Sequence, residues 1–340
     1  MNIKKIEEKL KELGQPNFRL KQIKKAVFED GASSFLEITT LAKDLREKLD
    51  KEMKILSFEV EKVLVAKDGQ SVKALLKLHD GKNIETVLIS PKTNDWSVCI
   101  SCQVGCPMNC RFCATGKMGF VRNLTAEEIT DQVLFWKQYI KSQSAKLTDV
   151  VYMGMGEPFL NWAQVNESLK NLIDPELFGF GSRSISVSTA GIPEGIAKFA
   201  EEFPQVNLAI SLHFADDQKR SEFMPINKKY NLEDLKKALQ EYFRKTNRKV
   251  FIEYILLGNI NDSREDADKL SRFVKSIGKL QLLHVNLIRY NSTGSELAAS
   301  SKDQAVRFKD YLLENHIPIT IRKSLGEEIQ GACGQLAGKG

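Results

Sequence analysis

The chain has 340 residues, 42% of them hydrophobic and 28% charged, and a formal net charge of +6. That length buries a full core and accommodates one large domain beside a small one, and the composition excludes a disordered or fibrous chain. The charged start, MNIKKIEEKL, lacks the apolar stretch of a signal peptide, and no apolar run approaches the roughly 18 residues of a membrane span.

Residues 1 to about 50 read as short helices, with Ile3, Ile6 and Leu10 on one face and Leu20, Ile23, Ala26 and Val27 on another. Residues 55–65, 71–78 and 83–89 read as strands joined by turns at 67–70 and 79–82. This α+β module ends near Pro91, and Lys92-Thr93-Asn94-Asp95 reads as a linker. From Trp96 onward strands alternate with helices. The predicted strands are 96–101, 149–154, 184–189, 206–212, 249–257, 281–288 and 317–322, several of them near-continuous apolar runs suited to parallel strands buried on both faces. Thr125-x-x-Glu128 is a capping box opening a helix with Ile129, Val133, Trp136 and Ile140 on one face. The repeats predict an α/β fold in which a parallel sheet curls into a full or partial barrel, with ligands at the carboxyl ends of its strands.

The pI of about 8.8 leans toward anionic partners, but nucleic acid follows only where basic residues cluster on one face. Two places qualify: Arg19-Leu-Lys21-Gln-Ile-Lys24-Lys25, and Lys228-Lys229 after Met224-Pro225-Ile226-Asn227.

Five of the six cysteines crowd into residues 99–113, which points to a metal or redox task in a reducing compartment, the cytoplasm, rather than to a secreted disulfide framework. Cys106, Cys110 and Cys113 form a C-x3-C-x2-C triplet just after the first barrel strand. A structural zinc takes four ligands, and a four-iron cluster usually takes four cysteines, so three thiolates leave one iron free. The alternative pairs Cys99-x2-Cys102 with Cys110-x2-Cys113 as a zinc knuckle. Only seven residues separate those pairs, against roughly 15–20 in zinc ribbons, and Cys106 is then left without a task. On that reading the chain is a zinc-stabilised, non-catalytic RNA-binding protein.

More polar groups fall at strand ends. Met153-Gly154-Met155-Gly156-Glu157-Pro158 follows the second strand, where glycine allows close backbone approach to a small ligand. Ser186, Ser188 and Thr189, then Ser211-Leu212-His213, then Asn291 follow on the same rim. Near the C-terminus Cys333 sits between Gly331 and Gly334, so the tail can fold back into a site and offer a thiol able to ionise.

The triplet and the GEP string resemble those of radical S-adenosylmethionine (SAM) enzymes. The strings RLKQI, IETV, MGMGEP, SLH, MPINKKY, NLIRYN and ACGQLAG together resemble the dual-specificity RNA methyltransferases of that superfamily, the RlmN/Cfr family, from end to end. The resemblance implies a partial (β/α)6 radical SAM barrel (92–323) behind a small RNA-binding N-terminal α+β domain (1–91) and a C-terminal tail (324–340). It implies a [4Fe–4S] cluster on Cys106, Cys110 and Cys113, and SAM contacts at Gly156, Glu157, Ser188, Ser211, Leu212, His213 and Asn291. Cys333 would carry the methyl group, Cys99 would be its redox partner through a transient disulfide, and Glu85 would accept a proton; Cys102 has no implied role. One SAM methylates Cys333; a second, cleaved at the reduced cluster, yields a deoxyadenosyl radical that activates the S-methyl group for addition to an adenine carbon. The implied partners are 23S ribosomal RNA, with tRNA open as a second substrate, and an electron donor such as flavodoxin; no membrane partner is implied, and the chain is expected to be a monomer. MGMGEP followed by Phe159-Leu160-Asn161 resembles the C2-methylating branch, whereas 284–290 and 129–133 resemble the C8-methylating, antibiotic-resistance branch; C2 is the expectation.

Overall fold

The apolar runs of the sequence become the inner strands of one long sheet. The computed structural model describes residues 1–92, 95–143 and 145–338. Helices α1 (Ile3–Glu12), α2 (Phe18–Lys24) and α3 (Lys43–Glu52) open the chain, with a π-helical turn prolonging α2. They pack Ile6, Leu10, Ile23, Val27 and Leu49 into a small core of their own. Strands β1 (Phe58–Val65), β2 (Ser71–Leu78) and β3 (Asn83–Lys92) form an antiparallel meander with turns where the sequence predicts them.

Strand β3 then pairs antiparallel with β4 (Asp95–Cys99). The stretch read as a linker is therefore the end of one strand and the start of its neighbour, with Thr93 and Asn94 outside the described residues. A short hairpin of β5 (Gln103–Gly105) and β6 (Phe120–Asn123) brackets the cysteine loop and α4 (Ala114–Lys117). After it come α5 (Ala126–Ile140), β7 (Lys146–Tyr152), α6 (Trp162–Ile173), β8 (Ile185–Thr189), α7 (Pro193–Glu202) and β9 (Asn207–Ser211). The chain continues through α8 (Asp217–Phe223), α9 (Leu232–Lys245), β10 (Val250–Leu256), α10 (Arg264–Ile277), β11 (Leu283–Arg289), α11 (Lys302–Glu314) and β12 (Ile319–Arg322).

The sheet has ten strands in the order β1-β2-β3-β4-β7-β8-β9-β10-β11-β12. From β4 onward every neighbouring pair is parallel. Because β1 and β12 remain edges, the barrel is partial, and its strand ends form one rim. Helix α5 carries the predicted capping box: Thr125 accepts from the Glu128 N–H at 3.1 Å and Glu128 from the Thr125 N–H at 3.0 Å. Its buried Gln132 pairs with both main-chain groups of Ser101, at 2.8 and 2.9 Å, and fixes the path of the chain just beyond β4. No helix among the described residues is long and apolar enough to cross a membrane.

Candidate active site

The cysteine loop is held by its backbone. Gly105 has φ +74°, and a Cβ there would lie 1.8 Å from the Gly119 carbonyl oxygen, so only glycine lets β5 meet the turn before β6. The Cys106 N–H donates to that Gly119 carbonyl at 2.9 Å, and the Cys113 N–H to the Cys110 carbonyl at 3.1 Å. Arg111 fastens the loop to α8: its N–H donates to the Phe223 carbonyl at 2.9 Å, and its guanidinium meets Glu222 at 2.6 Å above the Phe223 ring.

Cys106, Cys110 and Cys113 line one cavity of about 160 Å³. Cys106 and Cys110 are buried and Cys113 half-buried. Burial pushes the Cys106 thiol up to about 12 and Cys110 upward as well, with the neighbouring cysteines adding repulsion. Three thiolates in such a place require a cationic group to hold them ionised. Among the described residues no three His, Cys, Asp or Glu side chains are arranged to hold a single metal ion, whereas a four-iron cluster spreads its thiolates over separate irons. The donor set therefore fits the cluster. It does not fit the zinc knuckle, because Cys102 is buried against Gly156 and lines neither of the cavities that Cys99, Cys110 and Cys113 line.

The same small cavity is lined by Gly156, Glu157, Ser188, Ser211 and His213. Gly156 has φ +109°, and a Cβ would come within 2.7 Å of Gln103 Cβ and 2.9 Å of Cys102 Sγ. The buried Glu157 carboxylate accepts from the Phe159 N–H at 3.1 Å and the Ala190 N–H at 2.7 Å, joining the ends of β7 and β8, while burial raises its carboxyl. Ser188 and Ser211 hydroxyls lie 3.3 Å apart. Leu212 differs: its side chain is fully buried in the core and its N–H donates to the Glu253 carbonyl at 3.1 Å. Asn291 lines the neighbouring cavity and donates to the Cys333 carbonyl at 3.2 Å.

That second cavity, about 360 Å³, is lined by Cys99, Asn291, Arg322 and Cys333 among others, and Cys113, Cys333 and Arg322 are among the residues lining both cavities. Cys333 is exposed at the cavity surface, yet the surrounding protein pushes its thiol up, with the Arg322 guanidinium pulling the other way. The tail thiol is thus harder to ionise than the sequence suggests. Burial, and Cys333 nearby, also raise Cys99. Both are free thiols, so the disulfide implied between them is absent from this structure. Glu85 is fully buried, ion-paired to Lys73 at 2.8 Å, and is not among the residues lining either cavity.

Three residues that sequence reasoning missed contribute here. Arg220, buried, donates to the carbonyls of Leu212 (3.3 Å) and Ala190 (2.7 Å) and to Asn227 Oδ1 (2.8 Å), tying the β8 and β9 ends to the MPIN turn. Glu253 lines the cysteine cavity with Asn286 donating to it at 2.8 Å; a charge inside the apolar run 251–257 was its signal. Arg322 ends β12 on the same rim, the criterion that singled out Asn291.

The family described as the Radical SAM superfamily matches residues 100–271, and the ribosomal RNA large subunit methyltransferase N-terminal domain matches residues 1–55. A probable dual-specificity RNA methyltransferase RlmN of Carboxydothermus hydrogenoformans is 42% identical over 340 residues, spanning 100% of this chain and 97% of the relative. The chain belongs to the RlmN/Cfr family of radical SAM RNA methyltransferases. Another relative, a ribosomal RNA large subunit methyltransferase Cfr of Bacillus velezensis, is 41% identical over 338 residues, 98% of this chain and 95% of its own. A radical SAM methyltransferase from Sphaerobacter thermophilus superposes with a TM-score of 0.93 at 37% identity, covering 100% of this chain and 98% of that one. Membership in the RlmN/Cfr family implies a [4Fe–4S] cluster, SAM and an RNA substrate.

Proposed function

We propose that this RlmN/Cfr-family enzyme methylates C2 of an adenine in 23S ribosomal RNA, and that the same chemistry extends to tRNA, with the methyl carbon carried on Cys333. The observation that carries this reading is that Cys333 lines two cavities at once, one with the three loop cysteines and the other with Cys99.

Cys106, Cys110 and Cys113 would hold the cluster; Gly156, Glu157, Ser188, Ser211 and His213 would contact SAM, with Leu212 contributing main chain only and Asn291 reaching in from the second cavity. When bound, the cluster and SAM supply the electron and the radical chemistry that an electron-poor aromatic carbon requires. Cys333 is exposed to the cavities it lines, so its sulfur can be reached by a substrate, and Arg322 lowers the cost of a thiolate on it and on Cys99. Once the carried carbon is bonded to the base, and the ring hydrogen it replaces has left as a proton while the adduct's odd electron would return to the cluster that supplied it, Cys99 attacks the Cys333 sulfur. An S–S bond forms, the S–C bond breaks, and the carbon leaves with the electron pair and takes a proton to become the methyl group. Exchange with an external thiol, and electrons from a donor such as flavodoxin, restore the enzyme. The target base must be drawn out of its stack to reach a sulfur set between the two cavities. The C2 assignment rests on Phe159-Leu160-Asn161 after the GEP turn, which resembles the C2-methylating branch.

Nucleosides from 23S RNA and tRNA of a deletion strain, read by mass spectrometry, should lose 2-methyladenosine; loss of 8-methyladenosine instead would move the enzyme to the C8 branch. Cys333→Ala should bind iron, sulfide and SAM yet transfer no methyl group. Cys99→Ala should accumulate covalently joined to RNA, as a shifted band on denaturing gels that collapses with RNase. Normal turnover of Cys99→Ala without crosslink would reject Cys99 as the resolving thiol.

A further inference from the structure

Lys73 on β2 and Glu85 on β3 lie diagonally across the antiparallel pair, with Leu75 opposite Glu85 and Lys73 opposite Val87. Their side chains are 4% and 1% exposed, and Nζ meets Oε1 at 2.8 Å. Taking two charges out of water is costly, and their attraction repays it only where further hydrogen bonds satisfy the remaining valences. Here the C-terminal tail supplies them. Glu85 Oε2 accepts from the Ala337 N–H at 2.7 Å and the Gly338 N–H at 3.1 Å. Lys73 Nζ donates to the Gln330 carbonyl at 3.4 Å. These contacts flank Cys333 on both sides. Between them the tail is pinned to the cysteine loop, where the Ala114 N–H donates to the Gly334 carbonyl at 2.8 Å and Thr115 Oγ1 to the Leu336 carbonyl at 2.6 Å.

We propose that the Lys73–Glu85 pair is a clamp that fixes the Cys333-bearing tail between the two cavities, so that Glu85 acts as a positioning residue rather than as the proton acceptor. The catalytic consequence rests on the methyl-carrier reading of Cys333; the clamp itself does not. Glu85 Oε2 is hydrogen-bonded by the tail and Oε1 is held in the ion pair with Lys73 without an aligned hydrogen bond, and the residue lines neither cavity. The N-terminal meander, whose Val87 and Ile89 also line the second cavity, thereby holds the tail through Lys73 and Glu85.

Hydrogen exchange of the full-length protein, followed by mass spectrometry, tests this without turnover. Glu85→Ala should accelerate exchange at Ala337 and Gly338 by about tenfold or more, as expected for losing charge-assisted hydrogen bonds. Amides of β7, β8 and β9 serve as the internal control. The double variant Lys73→Met/Glu85→Gln removes both charges but keeps a carbonyl oxygen for the two tail N–H groups. It should keep tail exchange within roughly threefold of the wild type and recover methyl transfer relative to Glu85→Ala. Unaltered tail exchange in Glu85→Ala overturns the clamp. If that variant loosens the barrel as well, the double variant decides: a tail still protected supports the clamp, and a tail as loose as in Glu85→Ala overturns it. A double variant with a protected tail and no methyl transfer would restore Glu85 as the acceptor and overturn the positioning role. If Cys333 of the wild type never carries a methyl group while Glu85→Ala loosens the tail, the methyl-carrier reading fails and the clamp stands.

Discussion

His213 follows β9 in the left-handed region, with φ 56°. It is buried, its Nδ1 accepts the Ile255 N–H at 3.1 Å, and its ring meets Phe112 edge-on at 4.9 Å. Burial, with the Arg220 guanidinium nearby, lowers it to about 3, so in the folded protein the ring is neutral and Nδ1 is free to accept. Unfolded, a histidine titrates near 6.5. Between those two values the unfolded chain binds the extra proton, so the stability His213 contributes is complete above about pH 6.5 and is lost as pH falls toward 3. Wild-type stability should therefore drop relative to His213→Asn by up to about 1.4 kcal/mol per pH unit between pH 6 and 4; asparagine tolerates the left-handed backbone and does not titrate. Urea midpoints of both proteins at several pH values give that difference directly. Parallel curves would mean that His213 is not held neutral.

At the level of elements, Arg122 on β6 joins three parts of the chain. Its Nε donates to Asp80 in the β2–β3 turn at 2.7 Å, and its two terminal nitrogens clasp Glu128, the capping-box residue of α5, at 2.8 Å each. The hairpin that brackets the cysteine loop is thus tied to the N-terminal meander and to α5. Bidentate pairs of this kind are strong, but with the arginine 30% exposed solvent screening reduces them, so Arg122→Ala should cost about 1–2 kcal/mol in urea unfolding. Arg122→Lys should recover less than half, because an ammonium cannot clasp a carboxylate at two points. Full recovery by lysine would make the contact one of charge alone. This tie also marks where the sequence stops being legible. The barrel strands and α5 were readable because periodicity and capping are local. The β5–β6 hairpin was not, since three-residue β5 is too short to carry a pattern and exists because Gly105 meets Gly119 across the turn. The rim residues of the site followed from strand ends. Arg220 did not: nothing in its neighbourhood of sequence announces a buried cation, and its partners Ala190 and Leu212 come from other strand ends. Glu85 was visible only through the resemblance, and its engagement by the tail is a contact across some 250 residues.

Across the whole molecule, one continuous sheet carries the N-terminal meander into the barrel, and the N-terminal helical region is tied to helix α5 of the barrel, where Gln138 donates to the Ala32 carbonyl at 2.9 Å and Lys141 to the Gly31 carbonyl at 3.3 Å. Lys21, Lys24 and Lys25 line a surface cavity of about 340 Å³ together with Lys137. They are not equivalent. Lys24 is already ion-paired to Glu176 at 3.0 Å, and Arg19 donates to Gln22 at 2.9 Å and to the Thr40 carbonyl at 3.3 Å while stacking on Phe18. Lys21 and Lys25 are exposed and are the cations best able to meet phosphate. Each phosphate contact releases counterions, so its loss lowers the slope of log K against log salt by roughly 0.7–0.9. Lys21→Gln/Lys25→Gln should therefore reduce the slope for RNA binding by about 1.4–1.8, whereas Lys24→Gln should change it little, since Glu176 already neutralises that ammonium. Filter binding to a 23S RNA fragment over a range of salt concentrations measures both. If the double variant keeps the wild-type slope, the N-terminal helices do not grip the RNA backbone, and exposed Lys228 and Lys229, beyond the end of α8 on the barrel, become the cations to neutralise next.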